Sequence, residues 1–172
     1  MKIALKKELT GSILDIGGGG EGIIGRLYGS RVTAIDNRQE ELDEAPDTCT
    51  KLCMDATALS FADESFDAVT AFYSLLFMTA GEQERAIAEG IRVLCPNGRL
   101  CLWDCAVESA YPNPFVTELD VDLEGELLHT SYGICKLDAQ SRESILSFCL
   151  AKGLTLLTSR QEGIHFYLVL QK

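Results

Sequence analysis

The chain has 172 residues and a formal net charge of −11, long enough for one domain with a real core. Such acidity disfavours nucleic-acid backbones and anionic membrane surfaces as partners, and no apolar run approaches the ~18 residues of a membrane span. Residues 1–10 carry lysines without a long apolar core, so no secretory signal is expected. Seven cysteines, an odd number mostly within apolar stretches, point to free thiols in a reducing cytoplasm. Cys49 with Cys53, or Cys101 with Cys105, would stand about 13 Å apart on a strand, too far to share one metal, so no metal site is expected.

In chain order, residues 1–9 read as a leader, either a strand or a frayed helix. Residues 12–16 form a short strand, apolar at Ile13, Leu14 and Ile16. Gly17 to Gly20 follow, then Glu21 and Gly22, and Ile23, Ile24 and Leu27 recur at helical spacing. The pattern predicts a buried strand, a tight glycine turn and a helix start. Without a Cβ the turn lets a ligand touch backbone N–H groups, and the helix start adds free donors, which suits a nucleotide or a carboxylate. A flexible linker would have polar flanks; these are apolar and periodic. Gly17, Gly19 and Gly22 satisfy G-x-G-x-x-G, a weak signal alone. Asp15 stands just before the turn.

Gly29 stops the helix. Residues 31–36 form a second strand ending in Asp36. That acid is placed to accept hydrogen bonds from the two hydroxyls of a ribose, or to cap the helical segment that starts at Gln39. Residues 50–54 form a third strand that leads to Asp55 and Ala56. Residues 66–73, FDAVTAFY, form a fourth strand ending at Phe72 and Tyr73, and residues 82–93 a helix. Pro96-Asn97-Gly98 is a compact turn into a fifth strand, residues 99–104. A helix over 139–152 directs Ile145, Leu146, Phe148 and Cys149 inward. The strands 154–159 and 164–170, joined by a short link, form an antiparallel hairpin. The alternation predicts an α/β, doubly wound, mostly parallel seven-stranded sheet with an antiparallel C-terminal strand. Ligands in such sheets sit beyond the carboxyl ends of the strands, where Asp15, Asp36, Asp55, Tyr73 and Asp104 converge.

Residues 106–137 interrupt the alternation. Phe115, Thr117, Leu119, Val121 and Leu123 alternate with Val116, Glu118, Asp120, Asp122 and Glu124, and Leu128, Thr130, Tyr132 and Ile134 continue the pattern. This is a period-2 hairpin with one apolar and one acidic face. Its apolar face packs either over the pocket or against a second subunit, giving a homodimer. The acidic row either attracts a cation or is a solvated face that discourages aggregation. His129 lies in this insert and His165 within the last strand, as surface and structural residues.

From Ile13 to Leu170 the chain resembles the class I S-adenosylmethionine-dependent methyltransferases. LDIGGGG resembles their first motif, AIDN (34–37) the second, and MDAT (54–57) the third. SFDAVTAFYSLLFM (65–78) resembles the fourth strand with its substrate-side segment, and RVLCPNGRL (92–100) the usual R-V-L-K-P-G-G turn. Gly22 falls one residue late against the usual glycine motif, which implies an extra residue in the turn. Cys95 and Asn97 stand where lysine and glycine are usual. The resemblance implies a single domain over 1–172, with 106–137 as an inserted hairpin or cover, and S-adenosyl-L-methionine as cofactor. It implies that Asp15 orients the amino-acid end of the cofactor, that Gly17, Gly18 and Gly19 give close backbone approach, that Asp36 and Asn37 hold the ribose, and that Asp55 and Ala56 hold the adenine. Phe72 and Tyr73 would line the methionine arm. Tyr73, Asp104 and Tyr132 are the substrate-side candidates, Asp104 either as a base or as a capping acid; no catalytic residue is assigned. The expected function is cytoplasmic methyl transfer to a small molecule, without a nucleic-acid or membrane partner. The alternative is a protein that holds S-adenosylmethionine or S-adenosylhomocysteine without turnover. A nicotinamide-dependent oxidoreductase would explain the glycines and Asp36 but not Asp15, Asp55-Ala56 or the terminal hairpin.

Overall fold

The computed structural model describes residues 1–108, 111–136 and 138–172. Its strands are β1 (Lys2–Leu5), β2 (Ile13–Ile16), β3 (Val32–Asp36), β4 (Thr50–Cys53), β5 (Phe66–Phe72), β6 (Leu94–Cys105), β7 (Phe115–Leu123), β8 (Glu126–Ile134), β9 (Thr155–Glu162) and β10 (His165–Gln171). Its α-helices are α1 (Ile23–Tyr28), α2 (Gln39–Glu44), α3 (Ala80–Val93) and α4 (Arg142–Ala151). Seven strands form one sheet in the order β4-β3-β2-β5-β6-β10-β9. Neighbours pair in parallel, except that β10 is antiparallel to both β6 and β9. This is the predicted α/β sheet.

β2 lies near the middle, and all four of its residues are buried. Each face of the sheet carries its own core. On one face Ile13, Ala34, Ala68 and Trp103 pack with α1 and with Leu119 and Val121 of the insert. On the other, Leu14, Ile35, Val69 and Leu102 pack with Ala86 and Ile87 of α3 and with Ile145 and Cys149 of α4. The two faces alternate residue by residue along the strands, as the pleat requires, except at the register shift between Phe66 and Ala68 of β5.

Of the boundaries that differ from the sequence reading, three have a clear local reason. Helix α3 starts earlier than residue 82 because Thr79 caps it: its side chain takes the Glu82 N–H, and Glu82 reciprocates at the Thr79 N–H. Helix α4 starts later than residue 139 because Ser141 is its cap. The turn at Pro96-Asn97-Gly98 lies inside β6 rather than before it. Asn97 takes φ 63, while its N–H bonds to Lys172 O and the Lys172 N–H to Gly98 O, so pairing continues through the turn.

The insert is the predicted hairpin, with Leu119 and Val121 fully buried and Glu118 and Val116 outside. Of the predicted insert, 106–137, residues 109, 110 and 137 lie outside the described residues. The apolar face packs onto the core of the same chain. On the acidic row, Asp120 pairs with His129 at 2.9 Å and Asp122 with Lys2 at 3.5 Å. The leader resolves into a strand: β1 runs parallel to β7, Lys2 opposite Asp120 and Leu5 opposite Leu123, making a separate sheet β1-β7-β8. The link from β1 to β2 is pinned by Tyr28, whose hydroxyl accepts from the Glu8 and Leu9 N–H groups and donates to Lys6 O. Among the described residues no helix is long and apolar enough to cross a membrane.

Removing that hydroxyl leaves two backbone donors of the link without a partner. Tyr28→Phe is therefore expected to lower the unfolding free energy by about 1–2 kcal/mol in urea titrations, with faster amide exchange at Glu8 and Leu9.

Candidate functional site

The carboxyl ends of β2, β3, β4 and β5 open into a cavity of about 410 Å³. All ten residues expected at a cofactor line it: Asp15, Gly17, Gly18, Gly19, Asp36, Asn37, Asp55, Ala56, Phe72 and Tyr73. Tyr132 reaches it from the insert.

The glycine turn is built for close approach. A Cβ on Gly18 would lie 2.6 Å from Asp15 Oδ2 and 2.7 Å from the Ala34 Cβ; one on Gly19 would lie 2.5 Å from the Glu41 Cβ. Gly17, at φ 71, would drive a Cβ into Ser74. Any side chain here would push β2, β3 and α2 apart. The N–H groups of Gly17 and Gly18 donate to Ile35 O, and that of Gly20 to Glu41 O. These three donors are committed to the fold.

The charge lining agrees. Among the described residues the cavity is lined by Asp15, Glu21, Asp36, Glu41, Asp55 and Glu82 against one cation, Arg38, itself paired with Glu41 at 2.8 Å. Phosphates are repelled here; a cationic ligand bearing hydroxyls is favoured. Asp15 is buried, and Thr70 donates to its Oδ1 at 2.7 Å. Burial pushes its pKa up to about 7, and the Asp36 charge adds to the rise. Asp36 Oδ1 takes the Arg38 N–H at 3.0 Å, so it orders the turn into α2 while its other oxygen lies beside Gly19. Asp55 is exposed and accepts from the N–H and hydroxyl of Thr57, which hold its pKa below the usual value.

Tyr73 adopts φ 49, rare for a bulky residue and a mark of local strain. Three contacts hold it there. Its N–H donates to Trp103 O at 2.8 Å, its ring stacks on Tyr132 with centroids 5.3 Å apart, and its hydroxyl meets His165 Nδ1 at 2.7 Å. Burial keeps the phenol far above its usual pKa and the imidazole below its own. Tyr73 is thus the donor and neutral His165 the acceptor. Tyr132 is tied in through its neighbour Thr130, whose hydroxyl bonds to Glu21 of the glycine turn.

Asp104 is a correction. It is fully buried and does not line the cavity. Its carboxylate takes the N–H groups of Leu76 and Cys105 and the side-chain amide of Gln140; Gln140 in turn accepts from Lys136 Nζ and Gln83 Nε2. Asp104 ties the segment after β5 to the entry of α4, the capping alternative rather than the base. Sequence reasoning missed Glu21, Glu41, Ser74 and Glu82. Only Glu82 carried a signal, three residues after Thr79 in a capping box.

Residues 14–102 match the family described as "Methyltransferase domain". A demethylmenaquinone methyltransferase of Renibacterium salmoninarum is 52% identical over 46 residues; the match covers 27% of this chain and 19% of that protein. A structure described as SAM-dependent methyltransferases from Methanosarcina mazei superposes with TM-score 0.67 at 21% identity, over 95% of this chain and 94% of that one. The glycopeptide N-methyltransferase MtfA in complex with S-adenosyl-L-methionine superposes with TM-score 0.62 at 14% identity, over 95% and 87% of the two chains.

Asp15 and Asp104 are both protonated more readily in the folded chain than in the unfolded one, with pKa values about 7 against 3.8. The folded state therefore binds more protons between about pH 4 and 7, and stability falls as pH rises through that window. Thermal unfolding should show a midpoint several degrees lower at pH 8 than at pH 5. Asp104→Asn, which resembles the protonated acid, should show a shallower slope.

Proposed function

The chain belongs to the methyltransferase domain family, whose cofactor is S-adenosylmethionine, and on that premise we propose that it catalyses methyl transfer to a small-molecule acceptor from the cavity at the strand ends. One observation carries the reading: an acid-lined cavity whose floor is a glycine turn too tight for any side chain. That set suits a cofactor with an ammonium, a sulfonium and two ribose hydroxyls, and disfavours the pyrophosphate of a dinucleotide. When bound, the cofactor supplies a methyl group on a good leaving group, so the protein contributes mainly proximity and orientation.

In this reading Asp15, ionised, faces the ammonium of the amino-acid end. Gly17 to Gly19 leave room for that end against β2. Asp36 accepts from the ribose hydroxyls with Asn37 beside it, and Asp55 and Ala56 flank the adenine. Phe72 and Tyr73 form the wall on the methionine side, and Tyr132 closes the cavity from above. With Asp104 withdrawn, no acid of the predicted set remains to take a proton from an acceptor. This favours a nucleophile that already has a free lone pair at neutral pH. The same observation supports a second reading, retention of the cofactor without turnover, which a methyl-acceptor assay separates from the first. Free cysteines are in keeping with a cytoplasmic protein.

Calorimetry with S-adenosylhomocysteine, S-adenosylmethionine and NADH tests the proposal. The two sulfur ligands should bind in the micromolar range and NADH should not. Asp36→Ala should weaken both by about tenfold or more, as expected for lost charge-assisted hydrogen bonds. Because Asp15 must ionise to meet the ammonium, affinity should rise between pH 6 and pH 8. Binding of NADH alone would overturn the reading.

A further inference from the structure

The cavity at the strand ends has a mouth. Of the aromatic side chains that line it, Phe72 and Tyr73 are 6% and 1% exposed, whereas Phe77 is 58% exposed. The cavity therefore meets solvent beside Phe77. The backbone that carries this ring is fixed from behind. The Leu76 N–H donates to Asp104 Oδ2 at 3.2 Å, the Phe77 N–H to Ser74 O at 3.2 Å, and Gln83 Nε2 to Leu75 O at 2.8 Å. Leu75 and Leu76 are buried. The segment thus anchors two side chains inward and holds one large apolar ring outward, at a position set by the core. Across the mouth stands Tyr132, whose ring meets that of Phe77 with centroids 6.3 Å apart and planes at 74°. Tyr132 is itself fixed by its stack on Tyr73. Glu21 lines the cavity beside it: after burial, the Glu21 charge is the next cause that pushes the Tyr132 phenol up. An exposed ring on a fixed backbone at a cavity entrance, faced by a second ring, suits a flat apolar ligand.

The lining selects the ligand's charge. Acids dominate it, and Arg38, its one cation among the described residues, is paired with Glu41. Such a cavity holds positive charge, and the faces of aromatic rings hold it too. The same groups are poor proton acceptors. Glu82 is held below its usual pKa by the N–H and hydroxyl of Thr79, and Asp55 by those of Thr57. The Tyr73 phenol keeps its proton for His165. An acceptor that had to lose a proton would carry the positive charge out with it and would need a base. An acceptor with a free lone pair and no proton to lose needs neither. Its lone pair forms the N–C bond as the S–C bond breaks, and the electron pair of that bond stays on sulfur as a thioether. The positive charge passes to the methylated nitrogen and remains among the same rings and acids.

We propose that Phe77 and Tyr132 form the acceptor subsite, and that the acceptor is a neutral aromatic nitrogen base that leaves as its N-methyl cation. The proposal rests on the methyltransferase reading of the cavity and names the substrate class of that site. Phe77 is its specificity-determining residue.

The full chain, saturated with S-adenosylhomocysteine, is dialysed to equilibrium against 1-methylquinolinium, with 1-methylnaphthalene as the neutral and 1-naphthoate as the anionic analogue. The cation should bind about fivefold or more tighter than either analogue. Phe77→Leu keeps apolar bulk at an exposed position, so the unfolding midpoint should not move, but it removes the aromatic face. It should cut the affinity for the cation by about threefold to tenfold and leave that for 1-methylnaphthalene within about twofold. Supplied with methyl-labelled S-adenosylmethionine, the chain should pass label to quinoline and not to 2-naphthol. Equal binding of cation and neutral analogue, an equal loss of both in Phe77→Leu, or displacement of S-adenosylhomocysteine by the cation overturns the proposal. So does label on 2-naphthol, or on neither compound. In each of these cases S-adenosylhomocysteine still binds the free chain, and the acceptor assignment falls alone. If S-adenosylhomocysteine itself does not bind, the methyltransferase reading falls and the acceptor assignment with it.

Discussion

The closeness of three backbone segments at the glycine turn is the constraint on which the rest depends. Gly17, Gly18 and Gly19 sit against Ser74, Asp15 with Ala34, and Glu41, at separations no Cβ tolerates. The N–H groups of Gly17 and Gly18 are tied to Ile35 O, and that of Gly20 to Glu41 O. The turn therefore clamps the ends of β2 and β3 and the start of α2 into one unit, with Ser74 after β5 bonded to Ile16 O. Asp15, Asp36 and Asp55 hold their mutual positions because the strands that carry them cannot part.

Burial gives the two central acids different tasks from the same shift. Asp15 faces a cavity, so ionising it is unfavourable until a cation arrives, and its raised pKa becomes a readiness to bind one. Asp104 carries a similar rise but meets only donors of its own chain. Its partners were invisible in the sequence: Leu76 and Gln140 stand 28 and 36 residues away. The same limit applies to His165, which reads as an ordinary strand residue until the antiparallel placement of β10 brings it to the Tyr73 hydroxyl.

The parallel sheet was legible because its strands are short apolar runs that end in acids, and its helices follow at the expected spacing. The hairpin insert was legible from its period of two, with Leu119 and Val121 inward and Glu118 outward. The leader was not: four residues, KIAL, carry too little pattern to choose between strand and helix, and only the unpaired edge of β7 decides it. The role of the glycines was legible as tightness; that Gly17, Gly18 and Gly20 spend their N–H groups on Ile35 O and Glu41 O was not, because a sequence shows where N–H groups can be but not which carbonyls take them. Glu21 and Glu41 were unreadable for a similar reason. Each lies on a polar stretch typical of any surface, and only the fold turns them toward the cavity.

The pairing of β1 with β7 sets an order of events. Lys2 lies opposite Asp120 and Leu5 opposite Leu123, so the first strand of the chain has no partner until most of the chain exists. Contacts this distant in sequence are slow to close. During synthesis the N-terminal residues must wait, while β2 to β5 can already assemble around the glycine turn. The wall that Tyr132 adds to the cavity arrives with the same late sheet. The molecule thus acquires the scaffold that carries its three acids before the wall that encloses them.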